Sequence, residues 1–324
     1  MQIDDLHGFT YFKLVSQLRS FYILCNVNQL VEGKSMEIGD TVVRRSYGKD
    51  ISFRIIDIKE TEQGKTIILK GISLRLLADS PVDDLEAVKE NYSGEKDAMF
   101  NRRVNSAIKS ILANRGIDVR SSKVSKTGKV QTSKDLVFGR PGKILHVDAD
   151  PEYLEVCVKV YKQLGLDVEG RVVSENNQPS KVVELVKQVK PDIVVLTGHD
   201  SMLKGVQDYT DINNYRNSKF YVDAVTELRN IESSYDELVI FAGACQSCYE
   251  KILDSGANFA SSPSRVLIHC LDPVFICEKI AYTNIEKIVS IQEVLENTIT
   301  GIKGIGGLQT RGKYREGYPK SPYI

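Results

Sequence analysis

The sequence predicts an α/β protein, a parallel, doubly wound sheet with helices on both faces, preceded by a small SH3-like β-barrel. Three observations predict it. From Lys143 onward, near-continuously apolar segments of strand length alternate with stretches of helical apolar spacing, as expected where strands are buried on both faces by the helices between them. From Ile38 to Leu77, short alternating segments are separated by Gly-containing turns, which marks hairpins. Between the two lies DVRSSKVSKTGKVQTSKD, too poor in large apolar side chains to offset its ordering entropy.

Taken in order, residues 1–35 form an N-terminal extension that joins abruptly to Met36. Val31-Glu32-Gly33 can be encoded by GUG-GAG-GGA, a purine-rich ribosome-binding sequence ahead of an AUG, so a translation start at Met36 and a genuine N-terminal helix around FYILC both stay open. Residues 36–81 are the expected barrel, with GDTVVRRS, ISFRIIDIKE and TIILKGISLRLLA as strands. Its Arg44, Arg45 and Tyr47 are candidate contacts for RNA or a partner, set against a simple solvated strand face. Residues 82–117 read as helical, with Ala107, Ile108, Ile111 and Leu112 on one stripe. Residues 118–142 are a basic exposed linker, and 143–324 the α/β domain.

Within that domain, KILHVDAD is a strand ending in Asp150, which can cap a helix opening at Pro151 and stopping at Gly165. LDVEGRVV, PDIVVLTGHD, DELVIFAGAC and RVLIHCLDPV are the further strands, and SKVVELVKQVK, NSKFYVDAVTELR and YEKILDSG the helices. The tail from Gly301 is either a cover over the sheet or mobile.

Composition narrows the function classes. Lys plus Arg and Asp plus Glu are 43 each, so no global field recommends nucleic acid or an acidic membrane. From Arg102 to Lys143, however, eleven Lys/Arg face two acids, Asp118 and Asp135. Six scattered cysteines in a chain with 42% apolar residues indicate reduced, cytoplasmic usage rather than a disulfide framework. No apolar run reaches the length of a membrane span and no secretory signal is visible.

The chemistry collects at strand ends. In a parallel sheet, ligands bind in the crevice beyond the carboxyl ends of the strands, and two strands here end in reactive side chains, VVLTGHD in His199 and LVIFAGAC in Cys245. A thiol held back to the end of an apolar run, just ahead of a helix, is expected to be accessible and to favour its thiolate, with an imidazole to take its proton. Gly198 and Gly243 allow sharp turns, and the backbone N–H groups of Cys245 and Asp200 are candidate oxyanion donors. His199 precedes Cys245 by 46 residues, near the roughly 50 of caspases, whose Q-A-C-[RQG]-G compares with G-A-C-Q-S here. Gly243 in place of Gln, and a Gly before rather than after the His, depart from that pattern, and the sheet is expected to be caspase-like.

His146 and His269 lie inside apolar strands and read as core histidines, Cys157, Cys270 and Cys277 as core fillers. The C-x-x-C of Cys245 and Cys248 suggests a thiol oxidoreductase, but a redox pair has no use for a distant His. Zinc lacks two further ligands at sensible spacing. A receiver domain is suggested by ILHVDADPEYLE, yet Thr197-Gly198 stand where its phosphorylated Asp belongs. A non-catalytic scaffold that docks proteins or RNA through the barrel is a further alternative.

From Met36 on, IGDTVVRRSYGKDISFRI, GKILHVDADPEYLEVCVKVYKQLGL, VVLTGHD, Tyr215 to Phe220, LVIFAGACQS, GANFASSP and LDPVFICEKIA resemble the YabG-type sporulation-specific cysteine peptidases. The resemblance implies an endopeptidase of the mother-cell cytoplasm that cleaves spore-coat and cortex-associated precursors after arginine, with Cys245 and His199 as the catalytic pair and no metal or organic cofactor. A desolvated guanidinium needs a carboxylate, and Asp148 is nominated for that pocket, with Asp150 and Asp272 behind it. Arg115, Arg120 and Arg140, in or beside the basic linker, are the implied self-cleavage candidates.

Overall fold

The structure, a computed structural model, describes residues 36–61, 64–89, 92–121, 137–321 and 323. The N-terminal extension and most of the basic linker, including the Arg120 side chain, lie outside the described residues. The chain divides into two compact units, one holding residues up to Lys70 and Ala78–Glu95, the other holding Gly71–Leu77 and everything from Lys96.

The first unit carries an antiparallel sheet of five strands, β1 (Thr41–Arg44), β2 (Ser52–Thr61), β3 (Gly64–Gly71), β4 (Leu77–Pro81) and β5 (Leu85–Ala87), in the order β4-β3-β2-β1-β5. Val42 faces Phe53 on β2 and Ala87 on β5. On β2 the exposed Arg54 stands between the buried Phe53 and Ile55, a period of two, whereas on β1 Thr41, Val42 and Val43 are all buried; Ile67, Leu69 and Leu85 complete this core. β5 corrects the expected helix over 82–117: residues 82–84 form a single 3-10 turn and 85–87 pair with β1. The helix α1 starts only at Glu95, after Tyr92-Ser93-Gly94, and runs to Ser121. The candidate contact residues are occupied: Arg44 pairs with Asp84 at 2.8 Å and its guanidinium stacks 4.2 Å from the Tyr47 ring centroid.

The second unit is built on a six-stranded sheet. Its strands are β7 (Ile144–Asp148), β8 (Val168–Val172), β9 (Ile193–Thr197), β10 (Val239–Ala242), β11 (Phe259–Ser261) and β13 (Ile305–Gly307), in the order β13-β11-β10-β9-β7-β8. All neighbours are parallel except β13, which runs antiparallel to β11. α3 (Gln178–Val189) and α4 (Ser218–Ile231) cover one face: Val182, Tyr221, Val225 and Leu228 join Leu145, Val147, Val194, Leu196, Ile240 and Ala242 in one cluster. α2 (Pro151–Gln163) and α6 (Asp272–Tyr282) supply the buried Leu154, Cys157, Val274 and Phe275. Each fully buried side chain of this size contributes about 1.5–3 kcal/mol.

α2 starts as expected: Asp150 Oδ1 accepts the N–H groups of Glu152 and Tyr153 at 3.0 and 3.3 Å, and Pro151 stands in the first turn. The expected strand RVLIHCLDPV is corrected. The fifth strand is β11, only three residues long, and α6 already begins at Asp272. The greasy Ile268–Leu271 stretch is apolar because it is buried, and its edge pairs with Gly71–Leu77 through an isolated antiparallel bridge between Leu74 and His269. The tail is built in: β13 edges the sheet, β12 (Ile288–Val289) pairs β14 (Thr310–Arg311), and β15 (Arg315–Gly317) pairs β6 (Phe138–Arg140). Arg140 is therefore a strand residue. Arg115 is anchored too, its guanidinium paired with Glu278 and 3.4 Å above the Tyr282 ring centroid. Both stand in regular secondary structure beside the linker.

Candidate active site

Three adjacent strands, β7, β9 and β10, deliver the candidate residues at their carboxyl ends, because a parallel sheet points all these ends one way. β7 carries Asp148 and leads to Asp150, β9 leads to His199 and Asp200, and β10 leads through Gly243 to Cys245. Gly243 has φ +109, and a Cβ there would stand 2.5 Å from the Ser261 hydroxyl oxygen. Gly198 is required by space instead, since its Cβ would meet Glu175 Oε1 at 2.5 Å and the Tyr221 hydroxyl at 2.9 Å.

His199 is held from several sides. Its N–H donates to Glu175 Oε1 at 2.7 Å, and its carbonyl accepts from Asn217 Nδ2 at 2.8 Å. Its Nε2 lies 2.9 Å from Asp150 Oδ2. An ionised carboxylate only accepts, so Nε2 carries the proton and Nδ1 is the basic nitrogen; Nδ1 is buried and meets no hydrogen-bond partner among the described residues. Asp150 thus caps α2 with one oxygen and orients the imidazole with the other.

Asp200 faces inward. It accepts from the Ser201 and Asn217 N–H groups at 2.8 Å each and from the Ser218 and Ser247 hydroxyls at 2.5 and 2.9 Å. Ser247 in turn accepts from Ala244 N–H, and Ser218 from Cys248 N–H. The carboxylate therefore ties the tip of β9 to the start of α4 and to the loop bearing the cysteine. Burial pushes its carboxyl up to about 6 against these donors. In the loop itself Gln246 adopts φ 55, a strained left-handed conformation for a residue with a side chain. Among the described residues, neither Cys245 N–H nor Asp200 N–H meets an acceptor.

Cys245 departs from the expectation of an accessible, ionised thiol. It is 2% exposed, and α5 (Tyr249–Asp254) begins four residues later, with Cys248 at its N-cap. Its Sγ accepts from Ile268 N–H at 3.2 Å. Burial pushes the thiol up to about 12, only partly offset by the Ile268 hydrogen bond. Iodoacetamide should accordingly label Cys245 of the full-length, uncut chain at least ~10³-fold more slowly than a free thiol at pH 8, with a rate that keeps climbing about tenfold per pH unit past pH 10. Rapid labelling at pH 8, read by peptide mass, is the outcome that contradicts this.

Asp148 is fully buried and surrounded by donors. Thr197 donates to Oδ2 at 2.8 Å and Asp150 N–H to Oδ1 at 2.9 Å. His146 Nε2 stands 3.5 Å away. Against Oδ2, at 2.6 Å, lies Nη2 of Arg75, a residue the sequence reading left inside a strand. Both side chains are 0% exposed. The guanidinium beside it holds the Asp148 carboxyl far below the usual carboxylate range, overcoming desolvation. Arg75 lies 5.1 Å from the Tyr153 ring centroid, and among the described residues its Nε and Nη1 meet no acceptor.

Asp272 stands elsewhere, at the start of α6. It accepts from the N–H groups of Ile299, Thr300 and His269 and from the Thr300 hydroxyl, which makes it a clamp on the chain. His146 and His269 are buried; burial lowers both, His269 to about 4. Among the described residues no cluster of three or more His, Cys, Asp or Glu has the arrangement of a metal site, and no helix is long and apolar enough to cross a membrane. No spacing signal gives Glu175, Asn217, Ser218 and Ser247 these roles, because ordinary polar residues at turns and helix starts carry none.

Residues 37–319 match the family described as YabG peptidase U57. The chain belongs to this family. Its relative in Bacillus subtilis (strain 168), named sporulation-specific protease YabG, is 42% identical over 284 residues, covering 87% of this chain and 98% of that protein. Membership of the YabG family makes the chain a peptidase, and a sporulation protease. Among solved structures, a LuxR-family two-component response regulator from Aurantimonas sp. SI85-9A1 aligns with 36% of this chain and 71% of its own at 18% identity, with a TM-score of 0.24; so slight a likeness bears no weight.

Proposed function

We propose that this YabG-family chain is a cysteine endopeptidase that cuts after arginine, with Cys245 as nucleophile and His199 as proton carrier. One observation carries the reading: at the tip of β7, beside the tips bearing His199 and Cys245, a buried carboxylate, Asp148, already holds a guanidinium. A fixed, desolvated acid of this kind discriminates arginine from neutral side chains by leaving the wrong occupant with an unpaired charge.

In the reaction, Nδ1 of His199 takes the Cys245 proton and the thiolate attacks the carbonyl carbon of the arginine. The carbonyl π pair moves onto oxygen, which the N–H groups of Cys245 and Asp200 stabilise. The tetrahedral adduct collapses, the C–N bond breaks, and imidazolium gives its proton to the departing amine. Water then attacks the thioester with His199 as base, releasing a carboxylate and restoring the thiol. Asp150 keeps the imidazole in the required tautomer and orientation. The sheet order and antiparallel edge support a caspase-like arrangement, and the five-stranded unit an SH3-like barrel. Spore-coat and cortex-associated precursors in the mother cell are the substrates this reading favours.

An arginyl chloromethylketone tests it. A single stoichiometric adduct on Cys245, absent from His199→Ala and not formed by the aspartyl analogue, is expected by intact mass and peptide mapping. Adducts spread over several cysteines, independent of His199, would sink the proposal.

A further inference from the structure

The guanidinium on Asp148 belongs to the chain itself, and the backbone behind it lies as a bound peptide would. Arg75 N–H donates to Ile268 carbonyl at 3.3 Å, and Cys270 N–H donates to Ser73 carbonyl at 3.1 Å. Between them Leu74 stands opposite His269 in an antiparallel bridge. The pairing has the pattern by which an extended peptide is held, main-chain hydrogen bonds fixing its register and a side chain entering a pocket. Residues 73 and 75 make the paired bonds, and the side chain of 75 enters the acid pocket. Ile268 also donates its own N–H to Cys245 Sγ at 3.2 Å, so one residue touches both the candidate nucleophile and the arginine.

We propose that Gly71–Leu76 is a substrate-like plug in the enzyme's own cleft and that Arg75–Leu76 is the bond it first cuts, opening the cleft to other proteins. The proposal rests on the reading of Cys245 and His199 as the catalytic pair. Arg115 and Arg140 are engaged elsewhere by Glu278 and by the β6–β15 pairing, whereas Arg75 occupies the acid. The segment has the form of a bound loop: Leu76 N–H donates to Leu74 carbonyl and Gly71 N–H to Leu76 carbonyl, each at 2.8 Å. Tyr153 hydroxyl reaches the carbonyls of Gly71 and Leu74 at 2.5 and 2.7 Å. Gly71 is required, since a Cβ would stand 2.5 Å from Leu74 carbonyl oxygen.

In the cut, the Cys245 sulfur bonds to the Arg75 carbonyl carbon and the bond to Leu76 nitrogen breaks. That nitrogen takes the proton carried by His199. Water then converts the Arg75 thioester to a carboxylate and returns the thiol.

The test follows full-length chain by intact mass and N-terminal sequencing, alongside hydrolysis of an arginyl peptide amide. Expected are a fragment ending at Arg75, a new N-terminus at Leu76, a half-time unchanged on tenfold dilution, and peptide hydrolysis that rises with the cut. Cys245→Ala stays intact at this bond, and Arg75→Lys, which keeps a cation on Asp148, is cut at least ~10-fold more slowly because an ammonium lacks the fork of donors. Cys245-dependent peptide hydrolysis at full rate by chain still joined at 75–76 overturns the plug and leaves the peptidase reading standing. So does a half-time that lengthens on dilution. Absence of both peptide hydrolysis and self-cutting removes the peptidase reading, and this proposal with it.

Discussion

Cys245→Ala and His199→Ala should each lower kcat/KM on an arginyl peptide by about 10⁴-fold or more, because a nucleophile and its base act as one unit and either loss removes nearly all of their joint effect. The double variant is then expected to be little worse than either single one. Asp150→Asn separates positioning from folding. An amide oxygen still accepts from Glu152 and Tyr153 N–H, so the cap of α2 survives. The carboxylate that accepts from His199 Nε2 is gone, and the imidazole loses its fixed tautomer. A fall in kcat of about 10–100-fold with KM unchanged and an unaltered melting temperature is expected. A residue that merely capped the helix leaves kcat intact on this substitution, and kinetics at saturating peptide decide. Activity of Cys245→Ala above a few per cent of parent contradicts the assignment outright.

The sequence made the parallel sheet and the two reactive tips legible for a physical reason. Strands buried on both faces must be apolar throughout, so VVLT before His199 and VIFA before Cys245 announce both the element and its end. The cap at Asp150 was legible because a carboxylate ahead of proline has few other uses. Apolar character failed to separate β11, three residues long, from Ile268–Leu271, which is equally buried without joining the main sheet. It failed again at Arg75: an arginine within SLRLLA reads as the solvated face of a strand. Only the fold brings it to an acid 73 positions away. Cys245 shows the same limit, since a place after a strand end does not disclose that Ile268 and its neighbours close over it.

Arg75→Met should destabilise the chain by about 3–5 kcal/mol at pH 7, because it strands a charge in the interior. In a domain of this size that corresponds to a fall in melting temperature on the order of 10 °C. The comparison belongs in a Cys245→Ala background, where self-cutting does not intervene. Asp148 then retains the Thr197 hydroxyl, Asp150 N–H and His146, too little to replace a guanidinium at 2.6 Å. The pH dependence follows from the sign of the shift. A carboxyl held below its unfolded value of 3.8 contributes stability that is fully present above that value and is lost as pH falls through the native one. The variant's carboxyl has no such hold and protonates at higher pH, which relieves its buried charge. The gap in melting temperature between parent and variant should thus be widest near pH 7 and narrow towards pH 4. Adding Asp148→Asn to Arg75→Met removes the charge while keeping an acceptor for Thr197, and should recover most of the loss; a coupling of less than about 0.5 kcal/mol in this cycle would mean the two side chains do not act on each other. The same carboxylate that penalises a missing guanidinium inside the folded chain is what a substrate arginine would satisfy, so Asp148→Asn alone, which strands the Arg75 guanidinium in its turn and should cost about as much as Arg75→Met, should also lose, in the chain that still folds, its discrimination between arginyl and glutaminyl peptides.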